Sequence, residues 1–597
     1  MKLAHAFGIV FALSLAIGCG DDGGGNRDDG NVADDAGASE DGTATDDGST
    51  QDEGTGADAD ADGDGDGDGD ADDAPSDEGG GDDGGGPTWN ATYYVRVDGG
   101  TADQCDGTAD AAYPGSGTGL ACAWIHPFIA LPPGGTARIA GGDRLVIGPG
   151  DYRMGYGAPG DDACDESYTY DCTSAAVPSG TDAGHPTWIV GEGYDAGCDS
   201  PPELWGTERA WQVLDLTDAS HVRVECLEIT DRSGCVEFHS GSIQCVRDTY
   251  PHGDWASTGL IASDSTDVTL RNLDIHGLAH TGVYAGRLAD WTVENVRIAG
   301  NGWVGWDGDI DGDDSNSGTM RFTGWTVEWN GCGETWPGRE PTGCWGQSAG
   351  GYGDGVGTGA TGGDWIIERS SFLHNTSDGL DLLYHSGGGT ITLDGVVAKD
   401  NAGNQVKTRG PVTIRNSVVV GNCAFFEGKA FTMDVDPCRA AGNALSLTLG
   451  AGDTVVLANN TIWSEGDCVV LLGDGGCDGS ETIRWRNNLF LGAPDWTAGG
   501  SEDSCFWYSE CPSTAPDQDY DLIFGTKDDH PCPSGANDLC VDPRIGDATP
   551  ETFNATLQVG SPARDSGAPV GGDVPATDIN GAPRPRGTGV DRGAYEM

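Results

Sequence analysis

The sequence predicts an all-β protein, a right-handed parallel β-helix, on three observations. A short strand phrase recurs along the chain, a second phrase keeps step with it, and helical periodicity is almost absent. The first phrase reads Val268-Thr-Leu-Arg-Asn272, Trp291-Thr-Val-Glu-Asn295, Trp325-Thr-Val-Glu-Trp329, Trp365-Ile-Ile-Glu-Arg369, Ile391-Thr-Leu-Asp-Gly395, Val412-Thr-Ile-Arg-Asn416, Val455-Val-Leu-Ala-Asn459 and Ile483-Arg-Trp-Arg-Asn487. Each is a short alternating strand that ends on a turn residue. The closest intervals are 23, 26 and 21 residues, and the longer ones read as one or two coils with inserted loops. Strands at a period of roughly 20–30 residues, in a chain with 101 glycines, mean stacked coils. The recurring Asn is expected to stack as a polar ladder that satisfies turn backbone groups. The second phrase reads Thr258-Gly-Leu, Thr281-Gly-Val, Asn301-Gly-Trp, Asp354-Gly-Val, Asp378-Gly-Leu and Asn404-Gln-Val, and it starts another strand of the same coils.

The N-terminus reads as a processing signal over residues 1–19. Lys2 gives a positive start, and Ala6 to Ile17 form an apolar run too short to span a bilayer. The run ends in Leu15-Ala16-Ile17-Gly18-Cys19, which resembles a bacterial lipobox with Cys19 as the lipidated residue. An ordinary secretory signal with an incidental cysteine is the alternative. The expectation is an exported lipoprotein of the outer membrane or cell surface, whose contact with the membrane is the lipid anchor alone. Residues 20–88 carry 25 acidic residues against one Arg and almost no apolar side chains, so they are expected to form a disordered tether. The parallel β-helix is expected over residues 89–500, and residues 501–597 are expected to hold disulfide-rich loops and the closing cap.

Cysteine usage supports export. Without Cys19 there are 18, an even number that suits disulfides in an oxidising compartment. Many fall close together: Cys105/Cys122, Cys164/Cys172, Cys235/Cys245, Cys332/Cys344, Cys423/Cys438, Cys468/Cys477 and Cys532/Cys540. Such spacing suits local staples, although sequence alone leaves the connectivity open. The rival reading is a metal-thiolate site, and the C-x-x-C pairs it would need are missing.

The body from residue 89 onward has 72 acidic residues against 28 basic ones, a net charge near −44. That argues against nucleic acid as a partner. It is also a difficulty for any polyanionic substrate.

Aligning the second phrase exposes a candidate site. Where other coils carry Thr or Asn, two consecutive coils carry Asp354 and Asp378, 24 residues apart. Stacked strands lie about 4.8 Å apart, so two carboxylates there repel unless protonated or bridged by a cation. Asp381 adds a third acid, and an all-oxygen cluster suits Ca²⁺. One coil on, Asn404 replaces Asp378 and Lys407 replaces Asp381, in a chain with only five lysines. Arg409, two residues further, points to the same face by strand alternation. Between residues 399 and 439, six bases outnumber four acids, reversing the sign of the body.

The run Ser377-Asp378-Gly379-Leu380-Asp381-Leu382-Leu383 with Gly403-Asn404-Gln405-Val406-Lys407 resembles the active-site region of pectate lyases of polysaccharide lyase family nine, a calcium-dependent β-helix family. The resemblance implies Asp354, Asp378 and Asp381 as Ca²⁺ ligands and Lys407 as the base of a β-elimination on a uronate polymer. It implies an acidic polysaccharide as partner. Ser377 stands where that family usually has another Asp. Arg409 could hold a substrate carboxylate bidentately, and a bound cation would lower the lysine pKa towards working pH. The chain's ends resemble those of bacterial parallel β-helix proteins: Tyr93-Tyr94-Val95 with residues 142–152 at entry, and Gly560 to Asp565 with Asp591 to Tyr595 at the close. The chain is expected to be a monomer.

A second acidic loop, Asp307-Gly-Asp309-Ile-Asp311-Gly312-Asp313-Asp314, has calcium-loop spacing but Gly318 at the twelfth position, which favours a structural calcium over a full EF-hand. The paired-Asp pattern of polygalacturonase hydrolases and the Asp-Pro-His signature of mannuronan epimerases are both missing. The alternative to a lyase is a non-catalytic surface solenoid for adhesion or glycan binding, with structural calcium and exposed Trp residues that stack on sugars.

Overall fold

The computed structural model describes residues 88–237, 243–245, 249–310, 315–346, 352–511 and 514–597. The signal segment with Cys19, residues 20–87 of the tether, and Asp311 lie outside them. The body is a parallel β-helix. Among the described residues, the strands of successive coils pair in parallel in one 23-stranded sheet and one ten-stranded sheet. Crossover connections between parallel strands wind right-handed.

The larger sheet is two ladders joined at a bend. The strand Thr266–His276 spans both: its Thr269 to Arg271 pair with Thr292 to Glu294, and its Asp274 to His276 with Arg297 to Ala299. The bend residue Asn272 and its counterparts Asn295, Arg369, Gly395, Asn416, Asn459 and Asn487 all lie in the left-handed region, at φ between 47° and 69°. One left-handed residue turns the chain from one ladder to the next, and Asn tolerates that region better than most side chains. This explains the residue that ends the first phrase. Some of these side chains also bond along the stack, Asn295 Nδ2 to Asn272 Oδ1 at 3.4 Å and Asn487 Nδ2 to Asn459 Oδ1 at 3.3 Å.

Two phrases sit one strand away from their expected places. Thr319–Thr323, not Trp325 to Trp329, stacks on Thr292–Glu294, with Phe322 beside Val293. Thr326–Glu328 lies in the second ladder beside Arg297–Ala299. Likewise Val304-Gly305-Trp306, not Asn301-Gly302-Trp303, aligns with Thr281-Gly282-Val283. Apolar alternation is alike in every strand of a coil, so it does not say which ladder a strand joins.

Asn301 instead starts a buried amide column. Its Nδ2 donates to Asn330 Oδ1 at 3.0 Å, Asn330 to Asn375 at 2.9 Å, Asn375 to Asn401 at 2.8 Å, and Asn401 to Gln405 Oε1 at 2.8 Å. The column explains the Gly of the second phrase. A Cβ on Gly305, Gly355 or Gly379 would stand 2.6, 2.7 or 2.6 Å from Asn330, Asn375 or Asn401 Nδ2.

The core is built of stacked columns. In one, Leu270, Val293, Phe322, Ile367, Leu393, Ile414, Leu457 and Trp485 follow one another on successive coils, all buried. In the ten-stranded sheet, Leu260, Val283, Trp306, Val356, Leu380, Val406, Leu445 and Val470 do the same.

Nine disulfides join the described cysteines. Cys105–Cys122, Cys164–Cys172, Cys235–Cys245, Cys332–Cys344, Cys423–Cys438 and Cys532–Cys540 close local loops, and Cys198–Cys226 makes a longer one. Cys468 and Cys477 are not a pair. They reach across to Cys505 and Cys511, over 37 and 34 residues, because Cys468 and Cys505 are register partners on adjacent coils. Nine disulfides mark an exported chain that folds in an oxidising compartment. No helix of the described residues is long and apolar enough to cross a membrane.

At the N-terminal end the short buried helix Pro127–Ala130 joins the core, capped by His126 Nδ1, which accepts from Phe128 N at 3.1 Å. Burial pushes His126 down to about 3, so it stays a neutral acceptor. Stacked strands run past residue 500 to Leu522–Phe524, so the last coil lies within the segment expected to close the solenoid. The remaining chain lies along the flank. Arg584, ion-paired to Glu596 at 3.0 Å, also donates to Asn416 Oδ1 at 3.3 Å. Asn459 Nδ2 donates to Asp591 O at 3.0 Å, and Ala568 N to Asn487 Oδ1 at 2.6 Å. The tail thus covers the bend residues of three coils.

Candidate active site

The ten-stranded sheet carries the site, and two rows of side chains define it. The first row begins each strand. Asp354 Oδ1 accepts from Asp378 N at 2.8 Å, Asp378 Oδ1 from Asn404 N at 2.6 Å, Asn404 Oδ1 from Asn443 N at 3.1 Å, and Asn443 Oδ1 from Cys468 N at 3.0 Å. Each side chain therefore supports the next coil's backbone, a role Asp and Asn fill equally well. In Asp378 this leaves the second oxygen for chemistry. In the second row Asp307, Gly357, Asp381, Lys407 and Ser446 are register partners on successive strands, facing outward.

The rows meet at Lys407. Its Nζ lies 3.1 Å from Asp378 Oδ2 and 2.9 Å from Asp381 Oδ2. Asp354, Asp378 and Asp381 each place one oxygen within 4.8 Å of the others. Burial, then the charges of Asp378 and Asp381, push the Asp354 carboxyl well above its ordinary range. Burial also lifts Asp381, to about 6, with Asp378 adding to it and Lys407 opposing. Asp378 behaves in the opposite way: Lys407 and Arg439 outweigh its burial and hold it below the ordinary range. Burial alone would lower Lys407, but Asp378 and Asp381 overcome it and keep the ammonium protonated. Three carboxylates this close, two of them raised by burial and by their acidic neighbours, with oxygen donors only, are a donor set that fits a hard divalent cation.

Beside this cluster lies a cavity of about 370 Å³, lined by Trp303, Tyr352, Asp354, Asp381, Tyr384, Lys407 and Arg439, and also by Asp307 and Asp309. The structure thus brings Asp354, Asp378, Asp381 and Lys407 together and places Asp307 and Asp309 at the same cavity rather than at a separate loop. Arg409 shares the outward face of Lys407, but its guanidinium donates to Gly475 O at 3.1 Å and does not line the cavity. Arg439 does line it.

Sequence reasoning missed Arg439 because it comes from the long insert between two coils, outside both phrases. Cys423–Cys438 closes this insert, and Cys438, Ala440, Ala441 and Gly442 around Arg439 lie at φ 56°, 50°, 68° and 58°. Non-glycine residues held in that region store strain, as is common at binding sites. Arg439 Nη1 donates to Ser377 Oγ at 2.6 Å, so Ser377 positions a cation at the cavity. The local excess of bases between 399 and 439 was the signal in the sequence.

No family model matches the chain, and no curated protein matches it. Solved structures do. The crystal structure of pectate lyase Pel9A aligns over 86% of this chain and 98% of that one, at 15% identity and a TM-score of 0.39. A rhamnogalacturonan lyase aligns over 79% and 95%, at 11% identity and a TM-score of 0.32. An alginate lyase from Paenibacillus sp. str. FPU-7 aligns over 64% and 92%, at 13% identity and a TM-score of 0.27. The stacked parallel coils described above, rather than these likenesses, establish the fold.

Proposed function

We propose that this protein is a calcium-dependent polysaccharide lyase that cleaves a uronate polymer by β-elimination, held at the cell surface by lipid on Cys19. The observation that carries the reading is the placement of Lys407 between Asp378 and Asp381 at the edge of an open cavity. Asp354, Asp378 and Asp381 would hold the calcium ion, which would bind the substrate carboxylate and acidify the neighbouring C5 proton. With its carboxylate neighbours neutralised, the Lys407 ammonium, which the pair now holds charged, would release its proton to solvent, and the neutral amine would then take the C5 proton. The C5–H electrons form the C4=C5 double bond, the C4–O bond breaks, and the departing oxygen takes up a proton. Arg439, at the same cavity, fits a uronate carboxylate as a planar fork of donors. It also answers the charge difficulty locally, in a body whose net charge is near −44.

A screen of polyuronates for rising ultraviolet absorbance of unsaturated ends, with calcium and with chelator, tests the proposal. Absence of product from every acidic polymer refutes it. A second reading, a non-catalytic glycan-binding solenoid, is favoured by the ladder bonds of Asp354 and Asp378, which give both residues a structural reason to be present. In that case wild type and Lys407→Ala bind polymer alike and neither cleaves it.

A further inference from the structure

A second cavity opens at the far end of the same sheet, beside its first strand Ala210–Asp215. It holds about 220 Å³ and is lined by Tyr168, Tyr170, Arg209, Tyr250 and His252. Tyr168, Tyr250 and the adjacent Trp211 touch neighbouring rings yet stay 55%, 43% and 37% exposed. Tyr170 stacks on Trp211 at 5.6 Å and 14°, and the Arg209 guanidinium lies over Tyr170 at 5.3 Å. Two polar atoms on lining residues, Arg209 Nε and His252 Nδ1, are buried without a hydrogen-bond partner. Such atoms are costly and call for a ligand or another specific reason. Glu208 and Arg209 are also held at φ 52° and 61°, two left-handed non-glycine residues in succession.

We propose that this cavity is a distal subsite that binds one uronate residue of the polymer, its ring against the aromatic faces and its carboxylate on Arg209. Aromatic rings offer sugars a flat apolar face, and a guanidinium fork selects a carboxylate. The inference rests on the polyuronate reading above and extends it to where the chain must lie. Ala210–Asp215 is the first strand of the ten-stranded sheet and Val406–Arg409 the seventh, six strand spacings apart. At ~4.8 Å each this is about 29 Å along the solenoid axis. Between them, Trp211, Ser257, His280 and Trp303 immediately precede the aligned residues Gln212, Thr258, Thr281 and Val304, so they form one row in which the buried Ser257 separates Trp211 from His280. His280 and Trp303 stack at 4.9 Å and 19°, and Trp303 lines the first cavity. The row leads from one cavity to the other.

The experiment compares wild type with Trp211→Ala, Arg209→Gln and the conservative Arg209→Lys, on a long polyuronate and on a uronate trimer too short to reach both cavities. Trp211→Ala and Arg209→Gln are expected to raise KM for the polymer about ten-fold, the loss of one ordinary contact, with less than a two-fold change for the trimer, and Arg209→Lys to fall between. Unchanged KM on the polymer, or an equal loss on the trimer, overturns the subsite. If wild type cleaves nothing, the lyase reading has failed, and migration through gels containing polyuronate tests the subsite by itself. Retardation of wild type but not of the variants supports it; equal mobility, or equal retardation by a neutral galactan, overturns it.

Discussion

Asp381 and Lys407 are register partners on neighbouring strands, and Lys407 Nζ lies 2.9 Å from Asp381 Oδ2. The strand ladder itself sets this approach, because a one-residue slip of either strand would turn its side chain into the core. Lys407→Ala is therefore expected to lower polyuronate cleavage by about 10²–10⁴-fold, the usual worth of a general base. Lys407→Arg should be similarly impaired, since a guanidinium stays protonated. The absorbance of unsaturated products reads both, and a Lys407→Ala variant as active as wild type removes the lysine from the reaction.

Calcium should raise the melting temperature of wild type more than that of Asp378→Asn. At a hundredfold excess over Kd, the gain corresponds to about 2.7 kcal/mol for a site that exists only in the folded protein. Thermal unfolding in calcium and in chelator measures it. An equal response in both proteins moves the ion to Asp307 and Asp309.

The carboxyl of Asp381, raised to about 6 from an ordinary 3.8, binds its proton more tightly in the folded chain than in the unfolded one. Its stabilising effect is complete below about pH 4 and is lost as the pH climbs through 6. Asp378, held low, acts oppositely, and its contribution is lost only as the pH falls towards and below the ordinary carboxylate range. In chelator, wild type should therefore melt at a higher temperature at pH 5 than at pH 7. Asp381→Asn should show a smaller rise, and identical rises in the two proteins would contradict the assignment.

Gly379→Ala should destabilise the solenoid by about 1–3 kcal/mol, because the new Cβ would stand 2.6 Å from Asn401 Nδ2 in the buried amide column. Denaturant midpoints read the loss. A midpoint equal to wild type would show that the column can shift to make room.

Cys19→Ser should move the protein from the membrane fraction to the soluble exported fraction without changing its melting temperature. Unaltered membrane retention would disprove the lipid anchor.

The fold was legible in the sequence because parallel stacking repeats its demands on every coil: an apolar pair for each strand, and one residue able to take the left-handed bend, as at Asn272, Asn295 and Asn487. Assignment of strand to ladder was less legible. Trp325 and Trp291 head near-identical phrases, yet only inserted loop length places one in the first ladder and the other at the start of the second. Asp354, Asp378, Asp381 and Lys407 could be read because they substitute within a repeating phrase. Arg439 could not, since it comes from an insert whose path depends on Cys423–Cys438 and on left-handed alanines, which no periodicity describes. Cys468 and Cys477 misled for a related reason: nearness in sequence outweighed a partner one coil away.

The tail that bonds Asn416, Asn459 and Asn487 has a mechanical consequence. A stack held only by neighbour-to-neighbour contacts peels from its free end, one layer at a time. A strap fastened to three layers shares the load, so those layers must yield together. Under a pulling force, tension would reach the last coils as a single block, and cutting the chain after Phe524 would let them unravel in small steps.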